Sequence, residues 1–361
     1  MNRIILIGNG FDLAHGLETS YAHFIDDYWR QKIVNIEKNS SMKDADVKFI
    51  RNYSSTQIRR PLALLSFLKG RNIQPEFQNT FLESITTHCN LENWVDIENE
   101  YYEALKNCME ASNEKYVEDK NEFIDKLNEE FKGIKTALIA YLNDEFGRKE
   151  TSEFPYENIV QKIYSKINKS DLTEDMKRRS FNSLPTSILF LNFNYTPTEQ
   201  YYSKIGQEEY VGIKMPQTVE TIYIHGKLDN PSDIIFGYGD EIDDKYKLIE
   251  NLNNNRYLAN IKSFKYFDTN NYKKLLNFIN SDSYQIFIFG HSCGNSDRTL
   301  LNTLFEHDNC ASIKVFYHLK DDGTDNYSDV VQNISRHFKP ENKSMMRDKV
   351  VNKSLCEPLI S

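Results

Sequence analysis

The stretch MNRIILIGNGFDL, residues 1–13, decides the fold class of this chain. Residues 4–7 form a short, uninterrupted apolar run, and the glycine turn Gly8-Asn9-Gly10 follows at once. A run of this kind, ended by glycine, is typical of a strand that is buried on both faces of a parallel sheet. The sequence therefore predicts an α/β protein in which residues 3–8 form a central strand.

Five further apolar runs in the second half of the chain predict the remaining strands. They lie at residues 187–191, 221–224, 234–236, 285–289 and 313–317. Each is short and continuous, as expected for strands of a sheet that is covered on both faces. Together with the first strand they predict a mostly parallel sheet of about six strands.

The segment between residues 20 and 180 has the periodicity of helices instead. Its clearest apolar stripe steps by three or four residues through Phe123, Leu127, Phe131, Ile134, Leu138 and Leu142. A second stripe comprises Trp94, Ile97, Tyr101 and Leu105. We therefore predict a nucleotide-binding core built from residues 1–20 and 180–361, with residues 21–179 inserted after the first strand as a helical lobe.

The composition argues against several classes of protein. A hydrophobic share of 39% with 22 Tyr and 22 Phe is too high for a disordered chain. The net charge of −9 argues against broad binding to nucleic acid or to an anionic membrane. The five cysteines form no CxxC pair, so we expect neither a metal site nor a disulfide framework. This cysteine usage leads us to expect a cytoplasmic protein, and the run at residues 4–7 is too short for a signal peptide or a membrane helix.

The glycine turn after the first strand is a candidate phosphate site. Gly8, Asn9 and Gly10 precede a predicted helix whose N-terminal amides could approach a ligand phosphate. Leu13 stands where a complete GxGxxG motif has its third glycine, and Asp12 would repel a phosphate. A turn that only redirects the chain is equally compatible with these residues.

Polar motifs also follow the next two predicted strands. NFNYT, residues 192–196, comes after the run at 187–191, and His225-Gly226 comes after the run at 221–224. The carboxyl ends of parallel strands share one edge, where open α/β sheets bind ligands. Asn194 and His225 are therefore candidates for a common site, although each alone would more often be structural.

The motif GHSCGNSD, residues 290–297, follows the run at 285–289 and has two interpretations. As GxSxG it is similar to the nucleophile elbow of serine hydrolases, with Ser292 as nucleophile and His318 or His337 as base. Against this, only about seventy residues follow Ser292, and they contain one clear strand. As a small turn with a hydroxyl group, the motif could instead bind a nucleotide ribose.

The order of these motifs resembles that of a known family. ILIGNGFDLAHGL is followed by a WVDIENEY segment, then by NFNYT, IHG, IIFGYGDE and IFIFGHSCGNSD. Residues 1 to about 310 resemble the bacteriophage abortive infection family AbiH. The resemblance implies a role in defence against phage.

More distantly, the same order is similar to the sirtuin-like NAD-binding fold, a Rossmann-type α/β sheet with its motifs around one dinucleotide. This resemblance implies that Gly8 and Gly10 approach the pyrophosphate, and that Asn194 lies near the nicotinamide ribose. His225 would be the catalytic base, and Gly290 with Ser292 would hold the adenosine ribose. Asn9, Asp12 and Asp297, which lie in the same motifs, complete the expected NAD-binding set.

The chain departs from the sirtuin pattern in three respects. It lacks the cysteine quartet of the sirtuin zinc module, so protein deacetylation is not expected. Thr196 stands where the sirtuin turn usually ends in Asp, and Asp12 has no sirtuin counterpart. The pose of the dinucleotide is therefore expected to differ from that in sirtuins.

These resemblances imply an abortive infection effector that hydrolyses NAD, its substrate, at the nicotinamide–ribose bond without a metal. That cleavage has an oxocarbenium-like transition state, in which His225 would accept a proton and Asn194 would orient water. Two alternatives stay open, a serine hydrolase with Ser292 as nucleophile and a non-catalytic nucleotide-binding sensor. The expected partners are NAD or a related nucleotide and a phage-derived trigger or partner protein. Assembly into a homo-oligomer would be one way to hold such a toxin inactive.

Overall fold

The computed structural model describes residues 1–38, 46–49, 75–92, 96–110, 117–148, 156–205 and 216–360. Trp94, predicted to lie on a helical stripe, is outside these residues. The chain divides into two compact units. The sheet unit comprises Met1–Leu17, Arg148–Asp243 and Ile261–Ser361, and the helical unit comprises Glu18–Gly147 and Asp244–Asn260.

The strands form one parallel sheet and one short hairpin. In chain order they are β1 (Asn2–Ile7), β2 (Val47–Phe49), β3 (Pro75–Phe77), β4 (Ser187–Asn192), β5 (Thr218–Tyr223), β6 (Tyr284–Phe289) and β7 (Cys310–Phe316). The sheet has the order β5-β4-β1-β6-β7, and every neighbouring pair in it is parallel. β2 and β3 pair antiparallel in the helical unit. The prediction that β1 is central in a parallel sheet is confirmed.

The α-helices follow in chain order. They are α1 (Asn9–Ala14), α2 (Tyr21–Lys38), α3 (Thr80–Glu92), α4 (Ile97–Glu110), α5 (Val117–Arg148), α6 (Glu157–Ile163), α7 (Glu174–Lys177), α8 (Gln200–Ser203), α9 (Asp244–Asn251), α10 (Lys262–Lys265), α11 (Asn271–Ser281), α12 (Arg298–Glu306), α13 (Tyr327–His337) and α14 (Lys343–Lys349). The sheet unit is therefore a mixed α/β unit.

Helices cover both faces of the sheet because successive side chains of a strand point to opposite faces. Ile4 and Leu6 of β1 belong to a core cluster that includes apolar residues of α11, α12 and α13. Ile5 and Ile7 belong to a second cluster that includes residues of α6. This two-sided burial explains why β1 is apolar without interruption.

The prediction of a sixth strand at residues 234–236 is wrong. These residues follow a 3₁₀ turn, Pro231–Asp233, and they are buried in a loop. The amide of Ile235 donates to the carbonyl oxygen of His225 (2.8 Å), and its own carbonyl oxygen accepts from the Tyr195 hydroxyl (3.0 Å). An apolar run records burial rather than conformation, and here a loop buries it.

The helical unit packs around an aromatic core. The rings of Tyr101 and Phe131 lie 4.2 Å apart between centroids, and Phe81 lies 5.6 Å from Phe131. The predicted stripe on α5 is buried from Leu127 onward, but Phe123 is 42% exposed and Ile124 is buried in its place. The predicted stripe was therefore displaced by one residue at its first position.

Two features of the helical segment differ from the prediction. The expectation of helices alone in residues 21–179 is wrong, because β2 and β3 lie within that segment. The predicted bounds also differ from those of the compact units, since residues 156–179 belong to the sheet unit and residues 244–260 to the helical unit.

Candidate functional site

The candidate site lies in the sheet unit, where β4, β5 and β6 end at one edge. Asn194 follows β4, His225 follows β5, and His291 follows β6. Parallel pairing puts the carboxyl ends of these strands on the same edge, which is where open α/β sheets bind ligands.

A buried carboxylate, Asp297, brings the polar groups of this edge together. Its Oδ1 accepts from Lys262 Nζ at 2.8 Å and lies 3.2 Å from His225 Nε2. Its Oδ2 lies 3.7 Å from His291 Nε2. Asp297 is also the N-cap residue of α12, but its side chain makes no capping hydrogen bond. The carboxylate therefore contacts these polar side chains and does not cap the helix. We call Lys262, His225, His291 and Asp297 the Asp297 cluster.

The Asp297 cluster contains one carboxylate, one ammonium and two imidazoles. The pKa values of the carboxylate and of both imidazoles are shifted from their ordinary values. Burial alone raises the pKa of a carboxyl group, but Lys262 and His225 hold the pKa of Asp297 well below its usual range. Burial lowers the pKa of His225, the charge of Lys262 lowers it further, and Asp297 opposes both effects. Burial also lowers the pKa of His291 to about 4, against the attraction of Asp297. Both imidazoles are therefore neutral near pH 7.

The hydrogen bonds of His291 exclude it as a base. The amide of Cys293 donates to His291 Nδ1 at 2.9 Å, so this nitrogen carries no proton. The proton of the neutral ring must then be on Nε2, which faces Asp297. No basic nitrogen of His291 is left for a substrate, and His225 is the better candidate.

Aromatic rings surround His225 and fix its orientation. The ring of Phe193 meets it edge-on with centroids 5.3 Å apart, and the ring of Tyr266 lies parallel to it at 6.3 Å. The Tyr266 hydroxyl lies 3.4 Å from His225 Nε2, and a hydrogen bond also joins the ring to the backbone of Phe193. His225 is only 3% exposed. The ring is therefore held by the residue after β4, the N-cap residue of α12 and the residue after α10.

Asn194 is linked to the same cluster through the glycine turn. Its Nδ2 donates to the carbonyl oxygen of Gly8 at 3.0 Å, and its amide donates to Asn192 Oδ1 at 2.8 Å. The backbone of Gly8 in turn packs against His291, because a Cβ on Gly8 would lie 2.4 Å from His291 Cα. Asn194, Gly8, His291, Asp297 and His225 thus form a continuous series of contacts.

The two glycines of the first motif are explained by packing against the Gly290 turn. A Cβ on Gly10 would lie 2.8 Å from the carbonyl oxygen of Gly290, and the Gly10 amide donates to that oxygen at 2.8 Å. The Gly8 amide donates to Phe289, and the Phe11 amide donates to Gly8. These amides therefore bind protein carbonyl groups, and their role in binding a pyrophosphate stays a prediction. Asn9 is the first residue of α1 and is half-buried.

The two residues that depart from the sirtuin pattern contact each other. The hydroxyl of Thr196 donates to Asp12 Oδ2, and both residues are buried. A carboxylate of α1 therefore lies against the NFNYT turn at position 196. This hydrogen bond joins the NFNYT turn to the glycine turn.

Next to this pair, Glu199 is buried in a network of hydrogen bonds. Asn192 Nδ2 donates to Glu199 Oε2 at 2.6 Å and to the carbonyl oxygen of Thr196 at 3.0 Å. The hydroxyl of Tyr223 donates to Glu199 Oε1. Burial raises the pKa of Glu199 to about 7, and the charge of Asp12 acts in the same direction.

The raised pKa of Glu199 makes stability depend on pH. The folded protein holds the proton of Glu199 more tightly than the unfolded chain does. The contribution of this proton to the free energy of unfolding is therefore full below about pH 4.5 and is lost as pH rises through about 7. Between these values stability should fall by up to about 1.4 kcal/mol per pH unit. Glu199→Gln removes the titration; its carbonyl oxygen can still accept from Asn192 Nδ2, and its amide group can donate to the Tyr223 hydroxyl oxygen. Between pH 5 and pH 8 we expect the wild type to lose about 2–3 kcal/mol more than this variant in urea unfolding.

The exposed Glu157 provides the matched control for this measurement. Glu157→Gln should show the same pH dependence as the wild type. Identical pH profiles for the wild type and Glu199→Gln would contradict the prediction.

Ser292 is not paired with either of the histidines that were predicted as its base. Its side chain is exposed, and its carbonyl oxygen accepts from Asn333 Nδ2 at 2.8 Å. His337 Nε2 donates to the carbonyl oxygen of Cys293 at 2.8 Å, and His318 is exposed. Among the residues described, no hydrogen bond joins the Ser292 hydroxyl to either of these histidines. Neither of the two predicted histidines is therefore placed as a base for Ser292.

Sequence reasoning missed three residues of the site. His291 lay inside a quoted motif, so its position after β6 was the available signal. Lys262 and Tyr266 lie around a four-residue helix, in a stretch without a motif, and no signal pointed to them. Their contribution depends on tertiary contacts alone.

The fold and the site define a mixed α/β protein with a buried His–Asp–Lys cluster at the carboxyl edge of a parallel sheet. A family model described as "Bacteriophage abortive infection AbiH" matches residues 4–319, and the chain belongs to this family. A search of curated proteins returned no match. In the described parts of the chain, every helix is too short or too polar to cross a membrane.

Proposed function

We propose that this protein is a cytoplasmic abortive infection effector that hydrolyses NAD at the nicotinamide–ribose bond. The observation that carries the proposal is His225, a neutral and buried imidazole held by Asp297 at the carboxyl edge of the sheet, with Asn194 on the same edge. Membership of the AbiH family supports the role in defence against phage.

The reaction needs little from the protein beyond orientation and a proton acceptor. The bond between ribose C1 and the pyridinium nitrogen breaks with its electron pair going to nicotinamide, and a water oxygen forms the new bond to C1. In the neutral ring of His225 the proton is on Nε2, which faces Asp297 Oδ1 at 3.2 Å. The proton lost by this water passes to the other ring nitrogen, Nδ1, and Asp297 stabilises the resulting imidazolium. The products are ADP-ribose and nicotinamide, and no metal is required.

Asn194 is suited to position the water or a ribose hydroxyl. Its Nδ2 is bound to Gly8, so the side chain is held in place while its carbonyl oxygen can accept a further hydrogen bond. An amide does this without adding a charge that must be desolvated. The hydrogen bond between Thr196 and Asp12 joins the same turn to α1.

The rest of the dinucleotide would lie along the two glycine turns. We place the adenosine ribose near Gly290 and Ser292, whose hydroxyl is exposed. The pyrophosphate would border Gly8, Asn9 and Gly10, with contacts other than the Gly8 and Gly10 amides, because these bind Phe289 and Gly290. Asp12 and Asp297 would act through Thr196 and His225 rather than on the ligand.

An enzyme that depletes NAD must be held inactive until infection. A phage-derived trigger or partner protein, or assembly into a homo-oligomer, would provide that control. Because of this control, the test must include infected cells as well as the purified protein.

The proposal is tested by measuring NAD and nicotinamide during phage infection of cells that express the full chain, and in purified protein with NAD. We expect NAD to fall and nicotinamide to accumulate. Protection from phage with unchanged NAD would contradict the proposal. Nucleotide binding by calorimetry without nicotinamide release would then favour a sensor, and labelling of Ser292 by a fluorophosphonate would favour a serine hydrolase.

A further inference from the structure

Lys262 has a place in the site that no sequence motif indicates. It is 1% exposed, although a lysine side chain is seldom buried without a partner. Its amide donates to the carbonyl oxygen of Tyr238 at 2.9 Å, and its stem passes the backbone of Gly239, where a Cβ would lie 3.3 Å from Lys262 Cβ. These contacts hold the side chain of Lys262 so that its ammonium reaches the buried Asp297.

The ammonium of Lys262 and the imidazole of His225 compete for one oxygen atom. Both lie against Asp297 Oδ1, at 2.8 Å and 3.2 Å respectively. A buried carboxylate with only a histidine beside it favours the charged form of that histidine. With Lys262 present the carboxylate is already neutralised, and a second positive charge would be buried without compensation.

We propose that Lys262 is a positioning residue that keeps His225 an uncharged base: its ammonium neutralises Asp297, so that the carboxylate orients the imidazole without protonating it. This inference rests on the proposed function for its catalytic meaning. The electrostatic effect itself does not depend on any substrate.

Among the described residues, four titratable groups face His225 from neighbouring elements. They are Asp297 before α12, Lys262 on α10, His291 after β6 and the hydroxyl of Tyr266. His291 is neutral and Tyr266 is uncharged near pH 7. The only full charges facing His225 among the described residues are therefore those of Lys262 and Asp297, with opposite effects on its proton affinity.

The test is an NMR titration of the histidine side chains in full-length protein labelled with ¹⁵N-histidine, with His225 assigned by the signal lost in His225→Ala. In Lys262→Met we expect the titration midpoint of His225 to move to higher pH by at least about one unit. Lys265→Met is the matched control, since Lys265 is exposed on the same short helix. It should leave the midpoint unchanged.

A second pair of variants separates charge from structure and does not require Lys262→Met to fold. Asp297→Asn retains the ammonium and Asp297→Asn/Lys262→Met lacks both charges. We expect the midpoint of His225 to be higher in the double variant, because only the charge of Lys262 differs. Equal midpoints in this pair, or no change in a folded Lys262→Met, would overturn the proposal.

The activity readout distinguishes this inference from the proposed function. If NAD is hydrolysed, Lys262→Met should lower kcat at pH 7 with little change in KM, and raising the pH should restore it. If nicotinamide is never released but the midpoints move as expected, the role of Lys262 stands and the proposed reaction fails.

Discussion

Replacing His225 by alanine is expected to slow nicotinamide release from NAD by about 10²–10⁴-fold, the usual contribution of a general base. Of the two imidazoles in the Asp297 cluster, His225 is the candidate base, since Nδ1 of His291 accepts from Cys293 and its Nε2 holds the proton. The rate is measured by chromatography of nicotinamide. Circular dichroism and thermal melting check that the variant is folded, because His225 is buried.

Ser292→Ala provides the comparison for this result. Under the proposed function it removes at most one hydrogen bond to the ribose, so binding should weaken by about 0.5–3 kcal/mol and kcat should change little. A nucleophile would give the opposite outcome, with complete loss of activity. An inactive Ser292→Ala beside a nearly normal His225→Ala would overturn the assignment of His225 and favour the serine hydrolase.

Gly290→Ala is expected to be the most destabilising small substitution at the site. Gly290 has a φ of +71°, which costs an L-residue about 1–2 kcal/mol. A Cβ at this position would also lie 2.1 Å from the amide nitrogen of Phe11, and no flexible side chain can move aside to relieve the contact. With about 1–3 kcal/mol for overpacking, we expect a loss of about 2–5 kcal/mol in urea unfolding.

Gly323 separates the two causes of this loss. It has a similar φ of +81°, but a Cβ there would meet no atom within 4 Å. Gly323→Ala should therefore cost only the backbone term of about 1–2 kcal/mol. If both variants lose the same stability, the close contact between the Gly290 and Gly10 turns does not contribute.

The strands were predictable because parallel strands that are buried on both faces must be apolar without interruption. This rule found β1, β4, β6 and β7 and the central position of β1. β5 is an edge strand with exposed residues, and only its apolar end, from Thr221, was predicted. It failed at residues 234–236, where the same apolar character serves a buried loop bonded to His225 and Tyr195. A local pattern records that residues are buried and does not record what buries them.

The edge of the sheet on which the site lies was also determined by the sequence. Asn194 and His225 follow parallel strands, so their placement on one edge is a consequence of chain direction alone. The glycines at positions 8 and 10 were recognised as special, but their reason is the approach of the Gly290 turn at 2.8 Å from a Cβ on Gly10. That turn is far away along the chain, so the sequence around these glycines could not indicate this contact.

By itself, then, the sequence determined the parallel sheet, the order of its motifs and the edge that bears them, because these depend on local periodicity and strand direction. Only the tertiary structure decided which charges meet there. Lys262 and Asp297 pair across 35 residues, and Thr196 and Asp12 pair across 184. Burial makes each polar group depend on the partner that is brought to it, and that partner is chosen by packing in three dimensions.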